Sequence, residues 1–348
     1  MPVASANANL FGLDCGELER IALELGEDAF RGRQLYRGIY HGRNFHAGEI
    51  TSLSKRFRDA LASKFQIGLP EIEEKHPSRD GAVRYRLRFP DGRAAESVYM
   101  PEENRVTLCL SSQAGCAVEC RFCFTALMGL LRNLTAGEIL GQVYVVAGDA
   151  RIGPGIRLNV VFMGMGEPLL NFAAVMKTVR IMTDQDALGI PLRRITLSTS
   201  GIIPGIKELS QEPLRPKLAI SLNASSDEQR TSLMPINRKY PLCDLLAACR
   251  SYPLRPREAL TFEYVLLDGI NDSPPDALRV AQLLRGMRAK VNLIPYNAGA
   301  GLPYRSSPFS RVLEFQEALA AQSVPAFIRI SRGQDVRAAC GQLLLEAS

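Results

Sequence analysis

The sequence predicts an α/β protein, in which a partial (β/α)6 barrel follows a small N-terminal helical unit and a β-hairpin. Three patterns predict this fold. Residues 1–75 contain three amphipathic helical segments, residues 76–104 contain a hairpin pattern, and residues 105–348 alternate short β-rich runs with helical patterns. We therefore expect three domains with these boundaries, and we expect the hairpin to link the other two.

The N-terminal unit is predicted from its apolar periodicity, which matches the 3.6-residue repeat of a helix. Glycine or polar turns separate its three segments, CGELERIALELG, RGRQLYRGIYHG and LSKRFRDALASKF. The stretch that comes next, AVRYRLRFPDGRAAESVYM, alternates apolar and polar residues around a Pro-Asp-Gly turn. This alternation is typical of a β-hairpin.

Six β-rich runs predict the strands of the barrel: RVTLCLS, RLNVVFMG, RRITLSTS, KLAISLN, ALTFEYVLL and KVNLIPYN. Helical patterns lie between them, and one begins with a capping box formed by Thr135 and Glu138. Apolar strands that alternate with helices indicate a parallel sheet covered by helices. A closed barrel needs eight such units in roughly 250 residues, so a partial barrel fits better. Polar or glycine-rich residues follow five of the strands, and we expect the functional site at that edge.

The composition argues against a membrane protein and does not by itself indicate a partner. Of the 348 residues, 46% are hydrophobic and 22% are charged. No apolar run approaches the roughly 20 residues of a membrane helix, and the N-terminus lacks a signal-peptide pattern. We therefore expect a cytoplasmic protein without a membrane partner. The net charge of +6 permits an RNA or DNA partner, but the basic residues are scattered along the chain.

A cluster of three cysteines is the strongest chemical signal in the sequence. Cys116, Cys120 and Cys123 lie within eight residues, in a chain with eight cysteines that does not otherwise suggest a disulfide framework. A zinc site needs a fourth ligand, and all three histidines lie in the first quarter of the chain. Three thiolates suit an iron–sulfur cube that leaves one iron open to an outside ligand. Two other interpretations stay open at this point, namely incidental buried cysteines and a degenerate zinc knuckle.

The CxxxCxxC spacing, with Phe122 before the last cysteine, resembles that of the radical S-adenosyl-L-methionine (SAM) enzymes. GMGEP after the second strand resembles their SAM-binding loop. Longer motifs resemble the RlmN/Cfr family of RNA adenosine methyltransferases: ESVYMPEENRVTLCLSSQAGCAVECRFC, RNLTAGEIL, NVVFMGMGEPLLN, LSTSGIIP, NLIPYN and RGQDVRAACGQL. The resemblance covers nearly the whole chain. It implies a radical-SAM barrel with a 4Fe–4S cluster on Cys116, Cys120 and Cys123, and an N-terminal domain that contacts RNA.

The resemblance also implies the catalytic residues. Cys340 matches the methyl-carrying cysteine of the family, which accepts a methyl group from one SAM molecule. A second SAM molecule, cleaved at the cluster, supplies the radical that activates this methyl group for addition to an adenine ring. Cys109 matches the cysteine that helps to resolve the resulting protein–RNA adduct, with a transient disulfide to Cys340 at the end. Glu96 matches the proton acceptor.

For SAM, the resemblance implies seven contact residues, which are Gly166, Glu167, Ser198, Ser221, Leu222, Asn223 and Asn297. Relatives usually carry histidine where this chain has Asn223, an amide that can still form a hydrogen bond. The segment from Phe124 to Leu131 is more apolar than in relatives. The other cysteines match no family site and are expected to be structural; they are Cys15, Cys243 and Cys249.

The two branches of the family differ in the carbon atom that they methylate. The RlmN branch methylates carbon-2 of adenosine 2503 in 23S rRNA and of adenosine 37 in certain tRNAs, whereas the Cfr branch methylates carbon-8 of the same rRNA adenosine. GEPLLN and the general run of motifs favour RlmN. The expected partners are 23S rRNA, tRNA and an electron donor such as flavodoxin or ferredoxin, and the chain is expected to be a monomer. The alternatives are Cfr-type methylation, a different RNA target, and a non-catalytic RNA-binding or zinc-binding relative.

Overall fold

The computed structural model of the protein describes residues 8–153, 156–299 and 301–345. Residues 1–7 of the predicted helical unit and a few residues of the predicted barrel domain lie outside this description. The strands β1 to β14 span Ala8–Asn9, Phe65–Gln66, Glu71–Pro77, Val83–Arg88, Ala94–Glu102, Arg105–Cys109, Gln113–Gly115, Leu130–Asn133, Arg157–Phe162, Ile195–Thr199, Lys217–Ser221, Leu260–Leu266, Ala289–Pro295 and Ala326–Ile328. The helices α1 to α11 span Cys15–Glu24, Ala29–Tyr40, Lys55–Lys64, Phe124–Leu127, Ala136–Asp149, Phe172–Thr183, Ile203–Gln211, Asp227–Leu233, Leu242–Arg250, Pro274–Leu283 and Phe309–Ala321.

The three amphipathic helices predicted for the N-terminal unit are present as α1, α2 and α3. Their apolar faces pack into the same core as the barrel. Tyr36 and Tyr40 of α2 connect the two parts directly. The Tyr36 hydroxyl donates to Asp184 at 3.1 Å, and the Tyr144 hydroxyl on α5 donates to the Tyr40 carbonyl at 2.7 Å. Buried aromatic rings and satisfied hydroxyls therefore fasten the helical unit to the barrel.

A single ten-stranded sheet forms the centre of the molecule, in the order β14-β13-β12-β11-β10-β9-β6-β5-β4-β3. All six predicted barrel strands are confirmed, and β6 and β9 to β13 pair in parallel as expected. A short seventh parallel strand, β14, was not predicted. Parallel strands need crossover connections, and the helices between these strands supply them.

The predicted hairpin is present as β4 and β5, but it does not stand apart from the barrel. β5 pairs antiparallel with β6, the first barrel strand, so the hairpin continues the same sheet. The structure also adds β3, which pairs antiparallel with β4. β3 covers residues 71–77 and so crosses the predicted boundary between residues 75 and 76.

Helices cover the sheet in neighbouring pairs, with α5 against α6, α7 against α9 and α10 against α11. The capping box of Thr135 and Glu138 at the start of α5 is confirmed. Among the described helices, none has both the length and the apolar character that crossing a bilayer requires. The carboxyl ends of the parallel strands meet at one edge of the sheet, and the loops that follow them build the site described next.

Candidate active site

The cysteine loop leaves the barrel after β6 and is closed by a small two-stranded sheet. β7 pairs antiparallel with β8, with Ala114 opposite Arg132. The Cys116 N–H donates to the Gly129 carbonyl at 2.9 Å. Gly115 has φ = +77°, and a Cβ atom there would lie 1.9 Å from the Gly129 carbonyl oxygen. Glycine is therefore required for the close approach that holds the first cysteine of the loop in place.

The three cysteines of the loop are free thiols within electrostatic range of one another. Burial raises the pKa of Cys116 to about 12, and the charges of Cys123 and Glu167 add to the rise. Burial, followed by the charges of Cys123 and Cys116, raises the pKa of Cys120 far above its usual range. Such thiols stay protonated at neutral pH unless a metal replaces the proton, because metal ligation requires the thiolate.

The donors of the loop fit an iron–sulfur cube better than a zinc ion. Within the part of the chain that the structure describes, no three His, Cys, Asp or Glu side chains are grouped closely enough to hold one metal ion. A zinc site needs four donors at about 2.0–2.3 Å from a single centre. The thiolates of a cubic cluster bind different irons, so they do not meet at one point. The three half-buried thiols of the loop therefore suit a cluster that leaves one iron open.

The apolar segment after the cysteine motif, from Phe124 to Leu131, begins with buried residues and continues with exposed leucines. Its first residues hold the C-terminal segment: the Phe124 N–H donates to the Gly341 carbonyl at 2.8 Å, and the Thr125 hydroxyl donates to the Leu343 carbonyl at 2.7 Å. Phe124 and Thr125 are themselves buried. The exposed leucines of the segment are Leu127, Leu130 and Leu131.

The GMGEP loop after β9 is fastened on both sides. Gly166 has φ = +96°, and a Cβ atom there would lie 2.5 Å from Gln113 Cβ. The Glu167 N–H donates to Gln113 Oε1 at 2.8 Å. The buried Glu167 carboxylate accepts from the N–H and the hydroxyl of Ser200, both at 2.7 Å. Burial raises the pKa of Glu167, and the hydrogen bonds from Ser200 oppose the rise. Glu167 therefore connects the loop after β9 to the end of β10.

The predicted SAM-contact serines lie on two neighbouring strands. Ser198 is on β10 and pairs in register with Ala219 of β11, while Ser221 ends β11. Both serines are half-buried, and the Leu222 side chain that follows is fully buried. These three predicted residues are thus brought to the same edge of the sheet as Gly166.

Both predicted asparagine contacts already have protein partners. Asn223 has φ = +56°, and its side-chain oxygen accepts from the Val265 N–H at 2.9 Å. A left-handed backbone is more accessible to asparagine than to most residues, which gives Asn223 a structural reason to be there. Asn297 donates to the Cys340 carbonyl at 3.1 Å and accepts from Gln334 at 2.9 Å. Asn297 therefore holds the loop that carries Cys340.

Cys340 lies near the cysteine loop, because the Phe124 N–H donates to the carbonyl of the neighbouring Gly341, and it is within electrostatic range of Cys109. Part of Cys340 is exposed to solvent. The protein atoms around its thiol nevertheless raise its pKa to about 11, and the charges of Glu263 and Cys123 add to the rise. Cys109 is buried at the end of β6. Burial, and after it the Cys340 thiol, raise the pKa of Cys109 far above its usual range. Next to Cys340 is a cavity of about 490 Å³, which is lined by Pro295, Tyr296, Asn297, Ala298, Ser306, Gln334, Asp335 and Gln342.

Glu96 is buried on β5, on the same face of the sheet as Cys109. Val98 pairs with Cys109, and residues two apart on a strand share a face. Arg84 forms an ion pair with the Glu96 carboxylate, and the Leu344 N–H donates to it at 2.9 Å. Burial raises the pKa of Glu96 to about 7, although Arg84 opposes the rise. A carboxylate that titrates near neutral pH is suited to accept a proton.

Two arginines of the site were not found from the sequence. Arg84 lies in an alternating stretch of β4 and forms the ion pair with Glu96. The hairpin register could have revealed this neighbourhood, because Arg86 on the same strand pairs directly with Glu96. Arg230 on α8 is fully buried and donates to the carbonyls of Ser200 and Ser221. No local pattern indicates this burial, since an arginine in a polar helix is usually exposed.

Two family models match separate parts of the chain. A family model described as "Ribosomal RNA large subunit methyltransferase N-terminal domain" matches residues 8–67. A second one, described as "Radical SAM superfamily", matches residues 110–281. The two matches cover the helical unit and the stretch that contains the cysteine loop and the next four parallel strands.

Relatives match the chain over nearly its full length. The chain is 48% identical over 352 residues to "Dual-specificity RNA methyltransferase RlmN" of Anaeromyxobacter sp. (strain Fw109-5), covering 99% of this chain and 93% of the relative. It is also 48% identical to "Probable dual-specificity RNA methyltransferase RlmN" of Koribacter versatilis (strain Ellin345), covering 92% and 96%. The crystal structure of a radical SAM methyltransferase from Sphaerobacter thermophilus superimposes with a TM-score of 0.91 at 42% identity, covering 97% of this chain and 99% of that one. The chain therefore belongs to the RlmN family of radical SAM methyltransferases.

Proposed function

We propose that the protein methylates carbon-2 of an adenosine in 23S rRNA, and of adenosine 37 in tRNA, through a methyl group carried on Cys340. The name of its relatives, dual-specificity RNA methyltransferase, supports two RNA substrates. The observation that carries the proposal is the position of Cys340. Its thiol lies within electrostatic range of Cys109 and of Cys123, and the Phe124 N–H next to Cys123 donates to the carbonyl of Gly341 next to Cys340 at 2.8 Å.

As a radical SAM enzyme, the protein uses a 4Fe–4S cluster and SAM. In our proposal, Cys116, Cys120 and Cys123 hold the cluster, and the edge formed by the ends of β9, β10 and β11 holds SAM. When bound, the two groups supply a carbon-centred radical from one SAM molecule. The proposed SAM contacts are Gly166, Glu167, Ser198, Ser221, Leu222, Asn223 and Asn297. Of these, Glu167, Asn223 and Asn297 already bond protein groups, so their contribution is to shape the site.

The proposed roles of the three catalytic residues follow from their surroundings. Cys340 attacks the methyl group of SAM as a thiolate, which forms a thioether on the protein and releases S-adenosylhomocysteine. The raised pKa of Cys340 keeps its thiol protonated at neutral pH. The positive charge of the SAM sulfonium, when it lies next to this thiol, lowers the pKa and favours loss of the proton. Glu96 then accepts a proton from the adenine carbon that receives the methyl group, for which its pKa near 7 is suitable. Cys109 finally attacks the Cys340 sulfur as a thiolate and forms a disulfide with it. The carbon–sulfur bond of the adduct breaks, its electron pair stays on the RNA, and the released carbon takes up a proton to become the methyl group.

The remaining parts of the chain receive roles in the same proposal. Residues 1–75 form an accessory domain that contacts RNA, residues 76–104 carry Glu96, and residues 105–348 form the barrel and the segment with Cys340. An electron donor such as flavodoxin or ferredoxin reduces the cluster. The protein works as a cytoplasmic monomer.

The test is to incubate reconstituted protein with SAM, a reductant and protein-free 23S rRNA, and to identify the methylated nucleosides by mass spectrometry. We expect 2-methyladenosine from the unaltered protein and none from Cys340→Ala. 8-Methyladenosine would assign Cfr-type chemistry, and SAM cleavage without any methyladenosine would indicate another RNA target. A colourless protein with stoichiometric zinc, in place of a brown one with about four irons, would contradict the proposal altogether.

Two further variants test the roles of the cysteines. Cys109→Ala should stop turnover after the methyl group has reached the RNA, so a covalent protein–RNA adduct should accumulate and be visible on a denaturing gel. Cys243→Ala is the matched control, because Cys243 is exposed on α9 and belongs to no part of the site. It should methylate RNA at the unaltered rate.

A further inference from the structure

Arg230 is a fully buried cation at the centre of the strand edge that forms the site. Its side chain on α8 has no exposed surface, and no other arginine among the described residues is classed as buried. Taking a guanidinium out of water is costly unless hydrogen bonds and charge compensate it. A guanidinium that is buried despite this cost indicates a use for its charge or for its geometry.

The hydrogen bonds of Arg230 join the ends of two strands. Its guanidinium donates to the Ser200 carbonyl at 2.6 Å, just beyond β10, and to the Ser221 and Leu222 carbonyls at 3.2 Å, at the end of β11. A fourth bond goes to Asn237 Oδ1 at 2.9 Å, and a fifth goes to the Tyr240 carbonyl at 3.5 Å. Ser200 is also the residue that holds Glu167. The Arg230 side chain therefore fixes the spacing of the loops after β10 and β11 directly. Through Ser200 and Glu167 it also fixes the loop after β9.

The charge of Arg230 is not neutralised by a partner. All five acceptors are neutral carbonyl or amide oxygens, and none of the ion pairs among the described residues includes the guanidinium. The first charged group that acts on it is the Cys120 thiol, ahead of Asp227. The cysteine loop packs against the same helix, because the Arg121 N–H next to Cys120 donates to the carbonyl of Leu233, the last residue of α8, at 2.9 Å. The buried cation is therefore close to the loop that carries the proposed cluster ligands.

We propose that Arg230 is a positioning residue that joins the ends of β10 and β11 beneath SAM and supplies the buried positive charge that stabilises the reduced cluster. The inference rests on the proposed cluster and SAM sites. Reduction adds one electron from the donor to the cluster and moves no proton, so the cluster with its three thiolates becomes more negative by one unit. A fixed cation in a poorly polarisable interior favours that more negative form.

The experiment compares reconstituted unaltered protein with Arg230→Gln and Arg230→Lys, and with Arg238→Gln as the matched control. Arg238 is an exposed arginine of the following turn, and its side chain forms no hydrogen bond or ion pair with the described residues. The cluster potential is measured by redox titration monitored by electron paramagnetic resonance, and SAM affinity is measured by equilibrium dialysis. Iron content is checked first, so that only proteins with a full cluster are compared.

For Arg230→Gln we expect the ratio of reduced to oxidised cluster at a fixed potential to fall at least tenfold, which corresponds to about 59 mV for one electron. Its affinity for SAM should fall at least fivefold. Arg230→Lys should keep the potential near neutral pH but lose SAM affinity, because one ammonium cannot bridge carbonyls on two strands as a planar guanidinium does. Arg238→Gln should change neither quantity.

Arg230→Lys also provides a test if the glutamine variant fails to assemble its cluster. A buried lysine loses its proton at lower pH than arginine, so raising the pH from 7 to 9 removes the charge from a protein that is already folded. Cys120, Asp227 and Cys249 are the titratable groups that act on this position, and they are shared with the unaltered protein, which serves as the reference. The potential of the lysine variant should fall more steeply with pH than that of the reference.

Unchanged potential and SAM affinity in a fully loaded Arg230→Gln protein, or a lysine variant that follows the reference at every pH, would overturn the inference. These outcomes differ from a failure of the proposed function. In that case the unaltered protein would itself lack the cluster or form no methyladenosine, whereas an active reference with unaffected variants removes only the role of Arg230.

Discussion

The ion pair between Arg84 and Glu96 should set the pH at which the enzyme becomes active. Glu96 is only 1% exposed, and burial raises its pKa from its ordinary value of 4.5 to about 7. Arg84 and the Leu344 N–H favour the charged form and so hold the pKa below what burial alone would give. Arg84→Gln removes the positive charge and should therefore raise the pKa of Glu96 further.

The contact between Arg84 and Glu96 sets the size of this pKa shift. An opposite charge in direct contact changes a carboxyl pKa by roughly 1–3 units. The Arg84 side chain is 15% exposed, so solvent screens part of the interaction and a shift of about one unit is expected. Glu96 accepts a proton only when it is ionised, so activity should rise with pH through about 7. In Arg84→Gln this rise should move up by about one unit, which costs about tenfold in rate at pH 6.5 and little at pH 9.

The effect of Glu96 on stability has the opposite direction. Its pKa in the folded protein lies above its ordinary value of 4.5, so the protonated form favours folding. This contribution is fully present below pH 4.5 and is lost as the pH rises through about 7. A gain of activity over this range therefore does not reflect a more stable protein.

The assay is single-turnover methylation of an rRNA fragment between pH 6 and pH 9. The protein is first methylated on Cys340 at one fixed pH, so that the titration of Cys340 does not contribute to the profile. Arg88→Gln is the matched control, because Arg88 lies on the same strand but pairs with the exposed Glu71. Its profile should coincide with that of the unaltered protein. A profile of Arg84→Gln that coincides as well would refute Glu96 as the group that titrates.

Further predictions concern the loops around the site. Gly166→Ala should lower the free energy of unfolding by about 1–3 kcal/mol in urea titrations, because φ is +96° and the new Cβ would lie 2.5 Å from Gln113 Cβ. Gly148→Ala is its control: it lies in α5 with no atom within 4 Å, so any change should be a gain of up to about 1 kcal/mol. Thr125→Val removes the hydroxyl that bonds the Leu343 carbonyl and should cost about 1 kcal/mol. Hydrogen exchange should then accelerate in residues 338–345, and an unchanged exchange rate there would show that other contacts hold the segment.

Much of the fold could be predicted from the sequence because its signals are local. The six barrel strands, the three N-terminal helices and the capping box at Thr135 appeared where apolar periodicity and cap residues indicated them. The cysteine motif and the glycine-rich loops marked the edge of the sheet at which the site lies. These features depend on neighbours a few residues apart, so a single sequence contains them.

Features that depend on distant neighbours could not be predicted. β3 and β14 are edge strands whose sequences carry little apolar alternation, and they form because β4 and β13 offer unpaired backbone groups. Family resemblance supplied the expected roles of Cys109 and Cys340, which lie 231 residues apart in the chain (340 − 109). Only in the folded chain does the Cys340 thiol come within electrostatic range of Cys109.

The sequence by itself thus determined the six barrel strands, the three N-terminal helices and the residues that carry reactive groups. The tertiary structure alone decided the electrostatic surroundings of these groups. Arg84 lies against Glu96 because two strands pair, and Arg230 loses all contact with water because α8 packs beneath the ends of β10 and β11. Desolvation and charge act through space and not along the chain, so a pKa or a buried charge becomes definite only when the packing is known.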